Sequence, residues 1–308
     1  MKSFSDLDIF CDHVIRKLGA PDEVTEEQLA EEFRTVYLRG LPTNLCTLRA
    51  VAASCGIRLN CLEKMPDNMR GYHEMYGDDK NIYFKKGDVV SGTENTILHE
   101  IREMMETLFA EVNPNYMPLR TIARHIAANK FASAVLLPEE SFRGRVYETG
   151  LDIIALARLY SKSCSQVLLR MGEVLLGRLF FYAALYEAGP GENEWKVNYW
   201  TVSYNDDDLE ANFHDRGGFF PRKGKHVIPG SLVDMAINNR KAHLARRITM
   251  LDDGIGEGLT AIASPLIDRN YGATKVALVV LLDQSGELLT PQIRRLKPAI
   301  VEGFHRHL

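Results

Sequence analysis

The apolar residues of this chain change their spacing part-way along, and that change constrains the fold before any motif is read. Up to about residue 176 most of them recur three and four positions apart, as on one face of a helix. Beyond about residue 185 they gather in strand-like runs. Helical material followed by strand material points to an α+β chain with more than one core. A length of 308 residues agrees, because it exceeds what one average domain needs. Residues 1–56 read as helical. Thr25-Glu26-Glu27-Gln28 is a capping box ahead of a helix running to about Leu38, and Gly40-Leu41-Pro42-Thr43 opens another that Gly56 ends. Ile57–Leu62 and Asn81–Lys85 read as strands, with Pro66–Asp79 as a loop between them. A helix from Thr96 to about Val112 carries an apolar stripe of Ile97, Leu98, Ile101, Met105, Leu108 and Phe109. Another spans about Leu119 to Leu136, followed by a boundary-like stretch from Pro138 to Arg145.

Composition makes some functions less expected. A formal net charge of −4 argues against a surface that grips nucleic acid everywhere, though it allows a local basic patch. No run approaches the ~18 apolar residues of a membrane span, and the opening MKSFSDLDIF does not read as a charged-then-apolar leader. The five cysteines, Cys11, Cys46, Cys55, Cys61 and Cys164, form no CxxC pair, which suits a reducing compartment. A cytoplasmic protein without a membrane partner is the expectation.

The segment with the clearest chemistry is His99-Glu100-Ile101-Arg102-Glu103. Residues four apart share one helix face, so His99 and Glu103 can face one metal ion with Glu100 beside them. A catalytic zinc takes three protein ligands and keeps one position for water, and a neighbouring carboxylate takes the water's proton. The usual form of the motif is H-E-x-x-H. Taken alone, this pentapeptide also suits a solvated helix face with a satisfied histidine.

The next helix reads Arg124-His125-Ile126-Ala127-Ala128-Asn129-Lys130-Phe131-Ala132-Ser133-Ala134-Val135-Leu136-Leu137-Pro138. From Ala128 through Pro138 it resembles the second helix of the ImmA/IrrE metallopeptidases, E-x-x-A-N-x-F-A-x-x-L-L-x-P. The resemblance implies a zincin-like peptidase domain over residues 1–145, with Zn²⁺ (Mn²⁺ is possible) held by His99, Glu103 and His125 and with Glu100 catalytic. Two positions depart from the family pattern. Glu103 stands where the second histidine is usual, and His125 stands where the family has its glutamate ligand. Together they keep two imidazoles and one carboxylate. The family also places a strand before the H-E helix with an edge that aligns a peptide, and Ile82, Tyr83 and Phe84 are the candidates. Tyr72, His73 and Tyr116 are available by type to stabilise an oxyanion, and the sequence does not choose among them.

The resemblance extends to two further parts. Residues 146–184 look like a helix-turn-helix, in which Ser163, Ser165, Gln166 and Arg170 would begin the recognition helix. Only Arg158, Lys162 and Arg170 are basic there, so a helical pair that merely packs domains together is the alternative. Residues 185–308 have the order of an α/β GAF-like domain: a strand at Trp195–Tyr204, a helix at about Ser231–Asn238, strands at Ala261–Ile267 and Lys275–Leu282, and a helix at about Pro291–Glu302. Arg222-Lys223-Lys225-His226 and Arg240-Lys241-His243-Arg246-Arg247, with Phe219 and Phe220, could line a groove for single-stranded nucleic acid. A solvated helix face plus a loop is the other reading. The family resemblance implies an endopeptidase that cleaves a helix-turn-helix repressor after a stress signal, DNA damage or phage, with single-stranded DNA as a possible activator. The alternative is a catalytically degenerate regulator whose C-terminal domain binds a ligand or nucleic acid. Oligomeric state stays unassigned.

Overall fold

The computed structural model describes residues 6–67, 69–179, 181–189, 194–203, 221–250, 256–268 and 272–282. It is a mixed α+β structure with two sheets, and its contacts divide the chain into two compact units, Met1–Glu139 and Glu140–Leu308.

The first unit contains α1 (Asp6–Leu18), α2 (Glu26–Phe33), a π-helical turn (Arg34–Leu38), α3 (Leu45–Ser54), β1 (Ile57–Leu62), β2 (Gly71–Tyr76), β3 (Asp79–Lys85), α4 (Val90–Val112) and α5 (Thr121–Leu136). Local chemistry sets several of these boundaries. Thr25 and Gln28 form the reciprocal capping box that opens α2. The π-helical turn stops where Arg39 turns left-handed at φ 49. Asn44 caps α3 by accepting from the Thr47 amide.

The three strands lie in the order β1-β3-β2, with β1 parallel and β2 antiparallel to β3. A loop was expected where β2 lies. His73 and Glu74 interrupt the apolar alternation there, and Gly71 weakens it further. The signal that marks the strand is Gly77-Asp78, a two-residue hairpin turn in which Gly77 takes φ +58.

Helix α4 starts well ahead of the expected Thr96 and is buried nearly all round. It packs against α1, α3, α5, β2 and β3. Its apolar stripe is fully covered, and so are Glu94, Glu100, Arg102, Glu103 and Glu106. Gly71 lets β2 lie close to it, since a Cβ there would meet Thr96 Cγ2 at 2.3 Å and the Tyr83 carbonyl oxygen at 2.7 Å. Buried charges need partners, and Arg102 and Glu106 have them. Glu106 accepts from Arg102 Nη1 at 2.7 Å, Tyr116 Oη at 2.5 Å and the Leu119 amide at 2.5 Å. Arg102 also forks onto both oxygens of Glu26 at 2.8 Å each. Burial alone would raise the Glu106 pKa, but these donors outweigh it and hold the carboxyl below its usual range.

The second unit contains α6 (Glu139–Thr149), α7 (Ile153–Tyr160), α8 (Cys164–Val174), β4 (Phe181–Ala188), β5 (Trp195–Ser203), α9 (Leu232–Asn239), β6 (His243–Met250), β7 (Gly256–Asp268) and β8 (Gly272–Leu282). Much of the boundary-like stretch at 138–145 is therefore helix α6. Asp152 caps α7, Ser161 turns at φ 54, and Ser163 with Gln166 boxes the start of α8. The sheet has five strands in the order β5-β4-β8-β7-β6, with every neighbouring pair antiparallel. Strand β4 crosses residue 185, so a domain edge at that position would cut it.

Helices cover this sheet on both faces, which is why its inner strands read as continuous apolar runs. Tyr182, Ala184, Tyr186, Leu278 and Val280 form one core with Leu232, Val233 and Ala236 of α9. On the other face Ala183 pairs with Thr201. Thr201 sits so close to Gly172 of α8 that a Cβ there would meet its Oγ1 at 1.9 Å. The Arg240–Arg247 cluster leads into strand β6, not a helix. Tyr204, Phe219, Phe220 and the helix expected at Pro291–Glu302 lie outside the described residues. Among the described residues no helix is long and apolar enough to cross a membrane. All five cysteines are free, with Cys11, Cys55 and Cys164 buried.

Glu106→Gln should destabilise the first unit by about 1–3 kcal/mol, because it weakens the acceptor shared by Arg102, Tyr116 and the Leu119 amide while Glu26 still pairs with Arg102. The wild-type carboxylate stabilises the fold above about pH 4.3. That contribution is lost as pH falls through its depressed native pKa. Urea unfolding should therefore separate the two proteins at pH 7, with the gap closing in acid; an equal gap at every pH would contradict the network's role.

Candidate metal centre

Helices α4 and α5 lie side by side, and each presents one turn of polar residues to the other. From α4 come His99, Glu100 and Glu103; from α5 come His125 and, four residues on, Asn129. Glu103 Oε1 lies 2.6 Å from His125 Nδ1 and 3.3 Å from His99 Nε2, and the two imidazole nitrogens are 3.3 Å apart. Ligands about 2.0–2.1 Å from a tetrahedral zinc stand about 3.3 Å from one another. Two of the three separations already have that value, and the third is shorter.

The electrostatics fit a cation at this point. Glu103 Oε1 is buried and has no hydrogen-bond partner among the described residues, although two imidazoles approach it to ion-pair distance. Two imidazole nitrogens and one carboxylate oxygen thus converge at one point. Asn129 orients His99: its Oδ1 is 3.0 Å from His99 Nδ1, and an N–H at Nδ1 would leave Nε2 able to bind a cation. Burial lowers the pKa of His99, but Glu103 and Glu100 overcome it and the net shift is upward. For Glu103 burial acts to raise the pKa, and the surrounding imidazoles reverse it to a net lowering. The described residues therefore include His/Glu groups able to hold a metal ion.

Glu100 sits on the inner side of this cluster, largely buried, with Oε2 2.7 Å from Nδ1 of His73 on β2. Of the three residues considered for an oxyanion, His73 is the one that contacts Glu100. The Tyr72 ring stacks on Tyr83 at 4.7 Å, and the Tyr116 hydroxyl is taken by Glu106. The expected peptide-binding strand needs correction. Ile82, Tyr83 and Phe84 belong to β3, which is paired on both sides and has no free edge. The strand with one edge unpaired among the described residues and a side chain on Glu100 is β2.

The helix-turn-helix-like residues are placed for packing. Arg170 is only 1% exposed and bonds Glu173, Lys162 is 8% exposed, and the Gln166 side chain is used in the cap of α8. In the basic C-terminal region Arg222 lies over the Trp200 ring at 5.8 Å.

No family model and no curated protein matches this chain. Among solved structures, it is similar in fold to a Mycobacterium tuberculosis transcriptional regulator, with a TM-score of 0.53 and 15% sequence identity over 94% of this chain and 84% of that chain. At that identity the likeness concerns the fold alone.

If His99 ligates a divalent cation here, Asn129→Ala weakens binding of a probe Zn²⁺ about 10–100-fold, as loss of a group that orients a ligating histidine does elsewhere. Competition with a chromogenic zinc chelator measures this, with circular dichroism checking the fold; unchanged affinity would remove Asn129 from the centre.

Proposed function

We propose that this chain is a zinc-dependent endopeptidase of the ImmA/IrrE kind, with a zincin-like first unit and a GAF-like second unit. The observation that carries the proposal is the convergence of His99, Glu103 and His125 at one point, with Glu100 alongside. The resemblance at Ala128–Pro138 is independent of that convergence and supports the same reading. The single antiparallel sheet between helices supports the GAF-like assignment.

In this reading His99, Glu103 and His125 hold the metal. A bound zinc ion would make a water nucleophilic near neutral pH and polarise the scissile carbonyl. The Glu100 carboxylate takes the proton from the nucleophile and returns it to the leaving amine nitrogen. His73 holds one oxygen of that carboxylate and keeps it oriented. The outer edge of β2 offers its backbone N–H and C=O groups to an extended peptide, which is thereby led past Glu100. A helix-turn-helix repressor is the substrate that the resemblance implies, with single-stranded DNA as an activator.

A second reading draws on the structural neighbour, which is titled a transcriptional regulator. In it the first unit is a scaffold without catalysis, and the second unit binds a ligand or nucleic acid. Metal content separates the two, since the enzyme requires bound zinc and the scaffold does not.

The test is to incubate the protein with a small helix-turn-helix protein encoded beside it, with and without single-stranded DNA and a chelator. Cleavage should require the metal, and Glu100→Gln should slow it by about 10²–10⁴-fold through loss of the base while the His99–Glu103–His125 metal is retained. A variant that cuts at the wild-type rate would refute the assigned role of Glu100.

A further inference from the structure

We infer that Glu106 is a positioning residue for the metal centre: it fixes where helix α5 starts, and so where His125 stands. This rests on the reading that His99, Glu103 and His125 hold one divalent cation. It names what keeps the ligand from α5 within reach of the two from α4.

The first turns of α5 have little else to hold them. From Thr121 to Ile126 no side chain is buried, and Ile122 and Ile126 are 77% and 52% exposed. The His125 side chain is itself 55% exposed. Apolar packing begins only at Ala127 and continues through Ala128, Phe131 and Ala132. Nor is there a side-chain cap, because Arg120 occupies the N-cap position and makes no capping bond. A helix end with neither cap nor packing is weakly held. His125 lies in this part of α5, yet its Nδ1 is 2.6 Å from Glu103 Oε1.

Glu106 supplies the restraint. One oxygen, Oε1, accepts both the Leu119 amide and the Tyr116 hydroxyl, each at 2.5 Å. Leu119 directly precedes the N-cap residue of α5. Tyr116 is the one residue of the stretch 113–120 that is buried, and its ring meets Phe109 edge-on at 6.1 Å. The other oxygen, Oε2, accepts from Arg102 Nη1 at 2.7 Å, which holds the carboxylate in place. Glu106 is fully buried, so these charge-assisted bonds form away from bulk water. Glu103 and Glu106 are three residues apart on α4 and therefore neighbours on its surface. Helix α4 thus meets the start of α5 at two points, Glu106 with Leu119 and Glu103 with His125.

The test compares two substitutions in the full-length protein. Glu106→Gln keeps a carbonyl oxygen for the Leu119 amide and the Tyr116 hydroxyl; Glu106→Ala keeps none. Each protein is stripped with a chelator. Circular dichroism melts set a temperature at which all are folded, so that lost stability alone does not lower metal affinity. By competition with a chromogenic chelator, Zn²⁺ affinity should fall about 10–100-fold in Glu106→Ala, the loss seen when a group behind a metal ligand is removed, and less than about threefold in Glu106→Gln. With Co²⁺ as the probe ion, the visible absorption of Glu106→Ala should move toward that of His125→Ala, while Glu106→Gln keeps the wild-type spectrum. Where Glu106→Ala does not fold, Tyr116→Phe takes its place, with an expected loss of about threefold or more, the effect of one hydrogen bond. Wild-type Zn²⁺ affinity and Co²⁺ spectrum in that variant overturn the positioning role and leave the metal centre standing. Equal losses in Glu106→Gln and Glu106→Ala overturn it too, since lost charge would then explain both. A wild type that binds no zinc overturns this inference and the proposed function together.

Discussion

The first unit is organised around a helix that buries its charges. Most helices in a domain keep their carboxylates in water and turn only an apolar stripe inward. Helix α4 instead lies between a sheet and several other helices, and five charged side chains along it are covered. Each buried charge needs a compensating group supplied from another element. Glu26 of α2 meets Arg102, and Tyr116 and the Leu119 amide from the stretch after α4 meet Glu106. His73 of β2 meets Glu100. The packing of α4 and the chemistry of the site therefore arise from one requirement.

Glu103 separates the structural part of that arrangement from the chemical part. Around Glu106 the donors are aligned and the carboxylate is fully used. Around Glu103 the neighbours are two imidazoles, at 2.6 and 3.3 Å, which lower its pKa. The same helix thus carries one carboxylate finished by protein donors and, less than one turn away, another whose Oε1 is left open. Asn129 contacts His99 at 3.0 Å and His73 contacts Glu100 at 2.7 Å, and both contacts orient these side chains.

The second unit is built on a different rule. Its sheet is covered by helices on both faces, so its inner strands are apolar throughout, and α8 packs on β4 and β5 with α7 against α8. Of the three basic residues of the helical pair, Arg170 and Lys162 are buried and Arg158 is exposed. The likeness to a bacterial transcriptional regulator covers nearly the whole chain, so it describes the architecture of both units.

Much of this architecture was legible in the chain itself. The capping box at Thr25, the helix stops at Gly40 and Gly56, the stripe on α4 and the strand runs after residue 194 all follow from rules that act within a few residues. The pairing of His99 with Glu103 was legible for the same reason, because helical spacing fixes which side chains share a face. His125 could be joined to them only through a likeness between sequences, since no local rule says which face of α5 meets α4. Strand β2 was hidden by its polar residues, and with it the contact between His73 and Glu100 and its place at one edge of the sheet. The inner position of β3 was equally out of reach, because whether a strand is central or peripheral depends on what pairs beside it. Spacing along the chain decides local form; neighbours across space decide which charges are buried, which oxygen lacks a partner and which edge stays open.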